Sequence, residues 1–374
     1  MRSKISLSIF TRRTPIGIDI GDDAIRAVQL DSRTSEIKAA AMFQLPDSDA
    51  RETHQYSNLL RKSLRRAGFS GSRCVIGAPR QEIHVHPIRV PHMSSKELQQ
   101  SLTWEASERF SIPRESIQVD GVMTGARAPG ADDDRAEVVL FALDERKASR
   151  WLDPLMDSGL SPLFLEPGFC GVARAHSLHC RREQDRNRVR VVLDFSARGT
   201  TLIYLRGDRI GFCKTFDVGG EMLDIATSDA LGMDPVSASA LRRDRLMASS
   251  RSHSIDDAVQ AGSSDAVSQI LQHLVEDVAL CLRHCAVAFR GARPECIVLS
   301  GREALEPDFC ELLESGTGIP VTLDDENRTI DSLGEALRRN GLRSESASAW
   351  TAAFGLASRP VRPGRVSNTV GRAA

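Results

Sequence analysis

The feature that most constrains the fold is a pair of related segments, IGIDIGDDA at residues 16–24 and VVLDFSARGTT at residues 191–201, about 175 residues apart. In each, apolar β-formers run into an aspartate, Asp19 or Asp194, and then into small or polar residues that permit a tight reversal. AIRAVQL and TLIYLRG supply the returning strands, so each segment predicts a hairpin with an acid at its inner end. Two such hairpins predict two related halves. A reversal rich in backbone N–H groups, beside a carboxylate placed to hold a hydrated Mg²⁺, grips the phosphates of a nucleotide from two sides. An aspartate that merely caps a strand would give either motif alone; the recurrence of motif and following sheet pattern favours a two-lobed nucleotide fold.

At 374 residues the chain is long enough for two lobes of domain size. Its 49 Lys and Arg balance 50 acids, which argues against a global field for nucleic acid or anionic membrane. The eight cysteines are dispersed in mostly apolar runs and read as reduced core residues. Cys281 and Cys285 share a helical face, but His284 points elsewhere and no second ligand pair accompanies them, so no metal site is expected there. No run approaches the roughly 18–20 apolar residues of a membrane span. The opening MRSKISLSIFTRRT lacks a small-residue cleavage site and reads as a frayed terminus rather than a signal peptide.

Along the chain, EIKAAAMFQL predicts a third strand, THQYSNLLRKSLRRAGF a helix with Leu59, Leu60 and Leu64 on one face, and CVIGAP a buried strand. The texture then changes. QEIHVHPIRVP alternates like an exposed strand, SSKELQQSLTWEASERF is a helix opened by Ser94 or Ser95 with Glu97 in its first turn, and two strands follow around the acidic loop GARAPGADDDR. Together these form a βαββ insert at about 80–144, in which His84 and His86 read as structural. A helix, a strand and a helix complete the first lobe, 14–184, and RREQDRNR marks the junction. The second lobe, 185–358, opens with three strands and a Gly219-Gly220 turn into a helix. That turn suits a phosphate and equally suits an ordinary strand-to-helix connection. A helical subdomain at about 221–290 has little periodicity from 237 to 268 and then a long helix with Ile270, Leu274, Val278 and Leu282 on one face. ECIVLSGREAL is a buried strand, ASAWTAAFGLAS closes the lobe as a helix, and residues 359–374 have the composition of a disordered tail.

The ordered series IGIDIG, VVLDFSARGTT, DVGGEML, IVLSGREAL and AWTAAFGLA resembles the actin-like ATPase superfamily, an α/β fold of two ribonuclease H-like lobes. Within it, IRVPHMSSKELQQSLTWEASERFSIPRESIQVD and MDSGLSPLFLEP are similar to the PilM family of type IV pilus assembly proteins, over about residues 14–358; MshI-type proteins and the cytoplasmic part of GspL are of related design. The resemblance implies a cytoplasmic scaffold, peripheral to the inner membrane, that binds the N-terminal tail of a PilN-like bitopic membrane protein in a groove beside the insert, with Leu98, Leu102 and Trp104 of the insert helix as contacts. It implies ATP and Mg²⁺ in the cleft between the lobes. Asp19, Gly21, Asp22 and Asp23 carry over to the first phosphate loop, and Asp194, Gly199 and Thr200 to the second. Asp19 and Asp194 fall at the metal, and Gly219, Gly220, Ser300 and Gly301 on the adenosine side.

Four residues depart from the family pattern: Asp22 and Asp23 stand where relatives have Ser-Ser, Ser196 replaces Gly, and Arg302 follows Gly301. A unit charge about 4 Å from a phosphate charge, at an effective dielectric near 20, repels by roughly 4 kcal/mol, or about three decades of affinity. The extra acids therefore weaken ATP binding unless Mg²⁺ or Arg302 offsets them. An active ATPase or kinase needs a general base near the second loop, where VVLDFSARGTT offers only Asp194, so turnover is expected to be weak or absent. An FtsA-like division protein would carry an amphipathic membrane helix, and RPVRPGRVSNTVGRAA has no apolar face. Self-association is left open.

Overall fold

The computed structural model describes residues 14–44, 54–124, 135–178, 180, 182–248, 257–289, 293–324, 333–335, 337–338, 342 and 346–360. The opening segment, most of the acidic loop and residues 361–374 of the tail therefore lie outside the described residues.

The first sheet contains β1 (Ile16–Ile20), β2 (Ala24–Leu30), β3 (Ile37–Gln44), β4 (Arg73–Ala78) and β8 (Ser161–Pro167), in the order β3-β2-β1-β4-β8. The second contains β9 (Val189–Phe195), β10 (Thr200–Arg206), β11 (Arg209–Phe216), β12 (Ile297–Ser300) and β13 (Val321–Leu323), in the order β11-β10-β9-β12-β13. The two orders superimpose strand for strand: β1 and β9 each pair antiparallel with the strand that follows and parallel with a later one. The predicted duplication is thus present in the topology. Helices α1 (His54–Arg66) and α3 (Glu145–Asp157) pack on the first sheet over Ile16, Ile18, Leu60, Leu64 and Trp151. Leu59 is exposed; Leu60 and Leu64, one turn apart, form a narrower stripe than the sequence suggests.

The insert has the predicted βαββ order: β5 (Ile83–Val90), α2 (Ser95–Phe110), β6 (Ile117–Met123) and β7 (Ala136–Asp144), its antiparallel sheet running β5-β7-β6. Ser94 and Glu97 close a reciprocal capping box, Glu97 N donating to the Ser94 hydroxyl at 3.4 Å and Ser94 N to the Glu97 carboxylate at 2.8 Å. One face of the sheet takes Leu98, Leu102 and Ala106 of α2. The other packs on α4 (Gly168–Ser177) and on the second sheet, where Val139 and Phe141 meet Phe169, Val172, Val192, Ile203 and Leu205. The insert is rooted in the first lobe but packed against the second.

In the helical subdomain, α5 (Gly220–Leu231) follows the Gly219-Gly220 turn as expected, and the stretch of little periodicity falls on α6 (Pro235–Ala248) and on the start of α7 (Asp257–Ala288), each a regular helix. Asp234 explains the start of α6, accepting from Val236 N at 3.1 Å and Ser237 N at 3.0 Å, with Pro235 in the first turn. The buried stripe of α6 is Ala238 and Arg242, so the core position that hides the periodicity is an arginine. Leu271, Leu274, Val278 and Leu282 of α7 join Phe309 and Leu313 of α8 (Phe309–Thr317) over the second sheet.

The last described helix, α9 (Thr351–Ala357), follows a 3₁₀ turn holding the fully buried Trp350 and packs on the first lobe, against α4 and β1, although it follows the second lobe in sequence. Glycine permits this approach: a Cβ on Gly355 would lie 1.8 Å from the Gly171 carbonyl oxygen, and one on Gly17 would lie 2.2 Å from the Ala353 carbonyl oxygen. Asp324 ties the return. Its Oδ2 accepts from the hydroxyls of Ser300 at 2.8 Å and Thr351 at 2.7 Å, with His176 Nε2 of α4 at 3.4 Å.

Candidate functional site

Each hairpin delivers its acid to the same place because the strand orders match. Asp19 lies beside Arg26 on β2 and Gly77 on β4; Asp194 lies beside Thr201 on β10 and Ser300 on β12. Small residues make room for both carboxylates. A Cβ on Gly168 would come within 3.1 Å of Asp19 Oδ1, and one on Gly301, whose φ of +93° suits glycine, within 2.8 Å of Asp194 Oδ1. Burial pushes Asp19 up to about 6, with Arg26 opposing and Asp22 and Asp23 adding to it. Burial likewise pushes Asp194 up to about 7, helped by Asp19, Asp22 and Asp324. The charge of Asp19 thus bears on Asp194 across the gap between the lobes.

An open cleft contains Asp19, Gly21, Asp22, Asp23, Asp194, Ser196, Gly301 and Arg302 in its walls, together with Arg26 and Arg80. The other sequence-predicted nucleotide residues stand behind those walls. Thr200 is buried and donates to Val218 O at 2.7 Å, and the buried Ser300 hydroxyl turns to Asp324. Gly219 and Gly220 are packed on the second loop and on Glu303: an added Cβ would meet Gly199 N at 2.2 Å or the Glu303 carboxyl carbon at 2.5 Å. Gly199 itself lies under the Arg80 guanidinium, 2.1 Å from where its Cβ would be.

Asp22 and Asp23 are engaged with the rest of the cleft. Asp22 Oδ2 accepts the backbone N–H of Arg198 in the second loop at 2.8 Å, and its Oδ1 accepts from Gln81. Asp23 pairs with Arg302 at 2.5 Å and with Arg26 at 3.3 Å. Burial acts to raise the Asp23 pKa, but the two guanidiniums overcome it and hold the carboxyl below its usual range. Arg80 spans the same gap, donating to Arg198 O at 2.5 Å and Phe216 O at 3.4 Å. The amides opening α5 are also taken, Gly220 N by Ser196 O at 3.1 Å and Glu221 N by Ala197 O at 2.8 Å. Beside them, buried Arg242 donates to Gly220 O at 2.9 Å, Asp224 at 2.5 Å, Glu303 at 2.9 Å and Glu306 at 2.7 Å. Burial works against the Arg242 charge, yet the surrounding carboxylates raise its pKa further. Among the described residues no group of three or more His, Cys, Asp or Glu is placed to hold a metal ion, and the loops around Asp19 and Asp194, with these donors already engaged by carboxylates and carbonyls, do not fit a nucleotide's phosphates as they stand.

Sequence reasoning misses Arg80, Gln81, Arg242 and Glu303. The one local signal is that Arg80 and Gln81 directly follow Pro79, the residue after the buried strand β4. Leu98 and Leu102, expected to face a partner, are instead buried in the insert, at 8% and 0% exposure, because with Ala106 they form the i, i+4, i+8 stripe that seats α2 on its sheet. Trp104 lies on the outer face of α2 at 53% exposure.

Two sheets of one strand order, each delivering an acid to a shared cleft, with the final helix returned to the first lobe, define an actin-like fold. The family model described as type IV pilus assembly protein PilM matches residues 17–361, and the chain belongs to that family. A solved structure titled PilM-PilN type IV pilus biogenesis complex superposes with a TM-score of 0.74 at 19% identity, covering 94% of this chain and 99% of the other. The ethanolamine utilization protein EutJ from Carboxydothermus hydrogenoformans gives a TM-score of 0.49 at 12% identity, covering 92% of this chain and 88% of that one. MreB 5 of Spiroplasma citri, bound to AMPPNP, gives 0.47 at 11% identity, covering 92% and 95%. No curated protein matches the sequence. Among the described residues no helix is long and apolar enough to cross a membrane.

Proposed function

We propose that the chain is a scaffold of a type IV pilus machine, held at the cytoplasmic face of the inner membrane by binding the N-terminal tail of a PilN-like bitopic membrane protein. Family membership supports the machine, and the PilM-PilN complex supports the partner class. The observation that carries the docking mode is a pair of outer strands. β6 is the outermost strand of the insert and β8 the outermost of the first sheet, so among the described residues neither has a second strand beside it, and on β6 only side chains, Gln99 at Val119 O (2.8 Å) and Asp120 at Gly121 N (2.8 Å), meet the backbone groups. Arg359 joins their neighbourhoods: it pairs with Glu166 of β8, lies 4.0 Å over the Phe164 ring, and is close enough to Asp120 of β6 for their charges to interact. Met123 at the end of β6 and Leu165 on β8 are exposed apolar side chains on these edges. An extended tail adding a strand here gains ladder hydrogen bonds and places alternate side chains on Met123 and Leu165.

The test is calorimetric titration of a synthetic PilN-like tail into the full chain. Micromolar or tighter binding is expected, weakened at least about tenfold, or 1.4 kcal/mol, by Leu165→Asp. Trp104→Ala tests whether the outer face of α2 shares the contact. Absence of heat from folded protein would sink the docking reading. Catalysis has less support, since Asp22 and Asp23 in the cleft are already paired.

A further inference from the structure

In the cleft, the chain's own anions sit on the donors that would otherwise face a phosphate. Asp22, on the first-lobe hairpin, accepts from the Arg198 amide of the second-lobe hairpin, and Asp23 takes Arg302 from the turn after β12. Gln81 steadies Asp22, and Arg80, at the root of the insert, reaches the second-loop carbonyl of Arg198. Every one of these bonds crosses between the lobes or braces one that does. In a nucleotide-dependent cleft a bound phosphate supplies such bridges; here the bridging groups are covalently part of the chain, so forming them is an intramolecular event.

We propose that Asp22 and Asp23 are internal surrogates for a nucleotide's phosphates, which hold the two lobes together in the absence of nucleotide. A nucleotide must displace the Asp22 carboxylate from Arg198 and Asp23 from Arg302 while adding its own negative charge beside both. The cleft is a clasp rather than a nucleotide sensor, and the insert packed across it keeps one orientation whether or not nucleotide is present.

Calorimetry of Mg-ATP into the full chain is expected to show no saturable binding up to about 1 mM. The double variant Asp22→Ser, Asp23→Ser is expected to bind in the micromolar range, a gain of about a thousandfold from relieving one repulsion of the size given above. Small-angle scattering gives a second readout. The native chain should keep the same radius of gyration with and without Mg-ATP, while the double variant should be larger without nucleotide and contract on adding it. Should the double variant fail to fold, Asp22→Asn, which keeps an acceptor for the Arg198 amide, is expected to bind Mg-ATP more tightly than the native chain. Micromolar binding by the native chain overturns the proposal. A folded double variant that neither binds nucleotide nor changes its radius overturns it equally.

Discussion

Replacing Gly355 by alanine tests the close seating of α9 on α4. In an isolated helix the change would be favourable by about 0.8–1 kcal/mol, through reduced backbone entropy. Here the new Cβ would stand 1.8 Å from the Gly171 carbonyl oxygen, 2.5 Å from its carbon and 3.1 Å from Ala175 N. A relaxed C···O contact is about 3.3 Å or more, so the two helices must part by roughly 1.5 Å. A gap of even about 0.5–1 Å forfeits a quarter to half of each dispersion contact it opens, and α9 also lies on β1 and covers the Trp350 side. Overpacking of a tight interface costs about 3 kcal/mol at the upper end of its usual range, leaving a net destabilisation of about 2 kcal/mol after the propensity gain. Urea unfolding followed by circular dichroism should show a lower midpoint with an unchanged slope. A variant as stable as the parent would refute the reasoning, because propensity would then outweigh the contact.

Arg242→Met should be more damaging than its size suggests, by about 3–5 kcal/mol in the same assay, because it strands the carboxylates of Asp224, Glu303 and Glu306, the last two buried. Asp324 sets an acid limit. Burial acts to raise its pKa, but His176, Thr351 and Ser300 outweigh it and hold the folded value below the ordinary one. A depressed folded pKa gives stability that is complete above the unfolded value of about 3.9 and lost as pH falls through the folded one. The urea midpoint should therefore fall below about pH 4, and Asp324→Asn should lower stability at neutral pH while flattening that acid limb. The outer strands β6 and β8 predict that Met123→Asp weakens binding of the PilN-like tail as Leu165→Asp does, with unchanged urea stability; equal binding would place the tail elsewhere.

What could be read in advance was what is local or repeated. The capping box of Ser94 and Glu97 depends on four residues, and Asp19 and Asp194 announce themselves because runs of apolar β-formers flank both. The insert was legible from alternation giving way to helical spacing and back. Features that depend on distant partners were not. Arg242 looks like a surface arginine until Glu303, 61 residues on, closes over it. Leu98 and Leu102 have the composition of a docking face, and only the sheet beneath shows that the face points inward. Asp22 and Asp23 could be recognised as out of place for phosphate; that they are matched by Arg198 N–H and Arg302 required both lobes. The closing helix was found in the right place in the chain, but the glycines at 17, 171 and 355 that send it to the first lobe are too far apart to be read as one contact.

The return of α9 also fixes an order of assembly. The first sheet leaves the ribosome early, but the surface formed by Val28, Ala40 and Ala175 receives Trp350, Ala353 and Phe354 only after the whole second lobe has been made. Until then the early lobe carries an uncovered apolar face. Folding of the halves is sequential in synthesis but simultaneous in completion, and a nascent chain paused in the second lobe is a natural client for a chaperone.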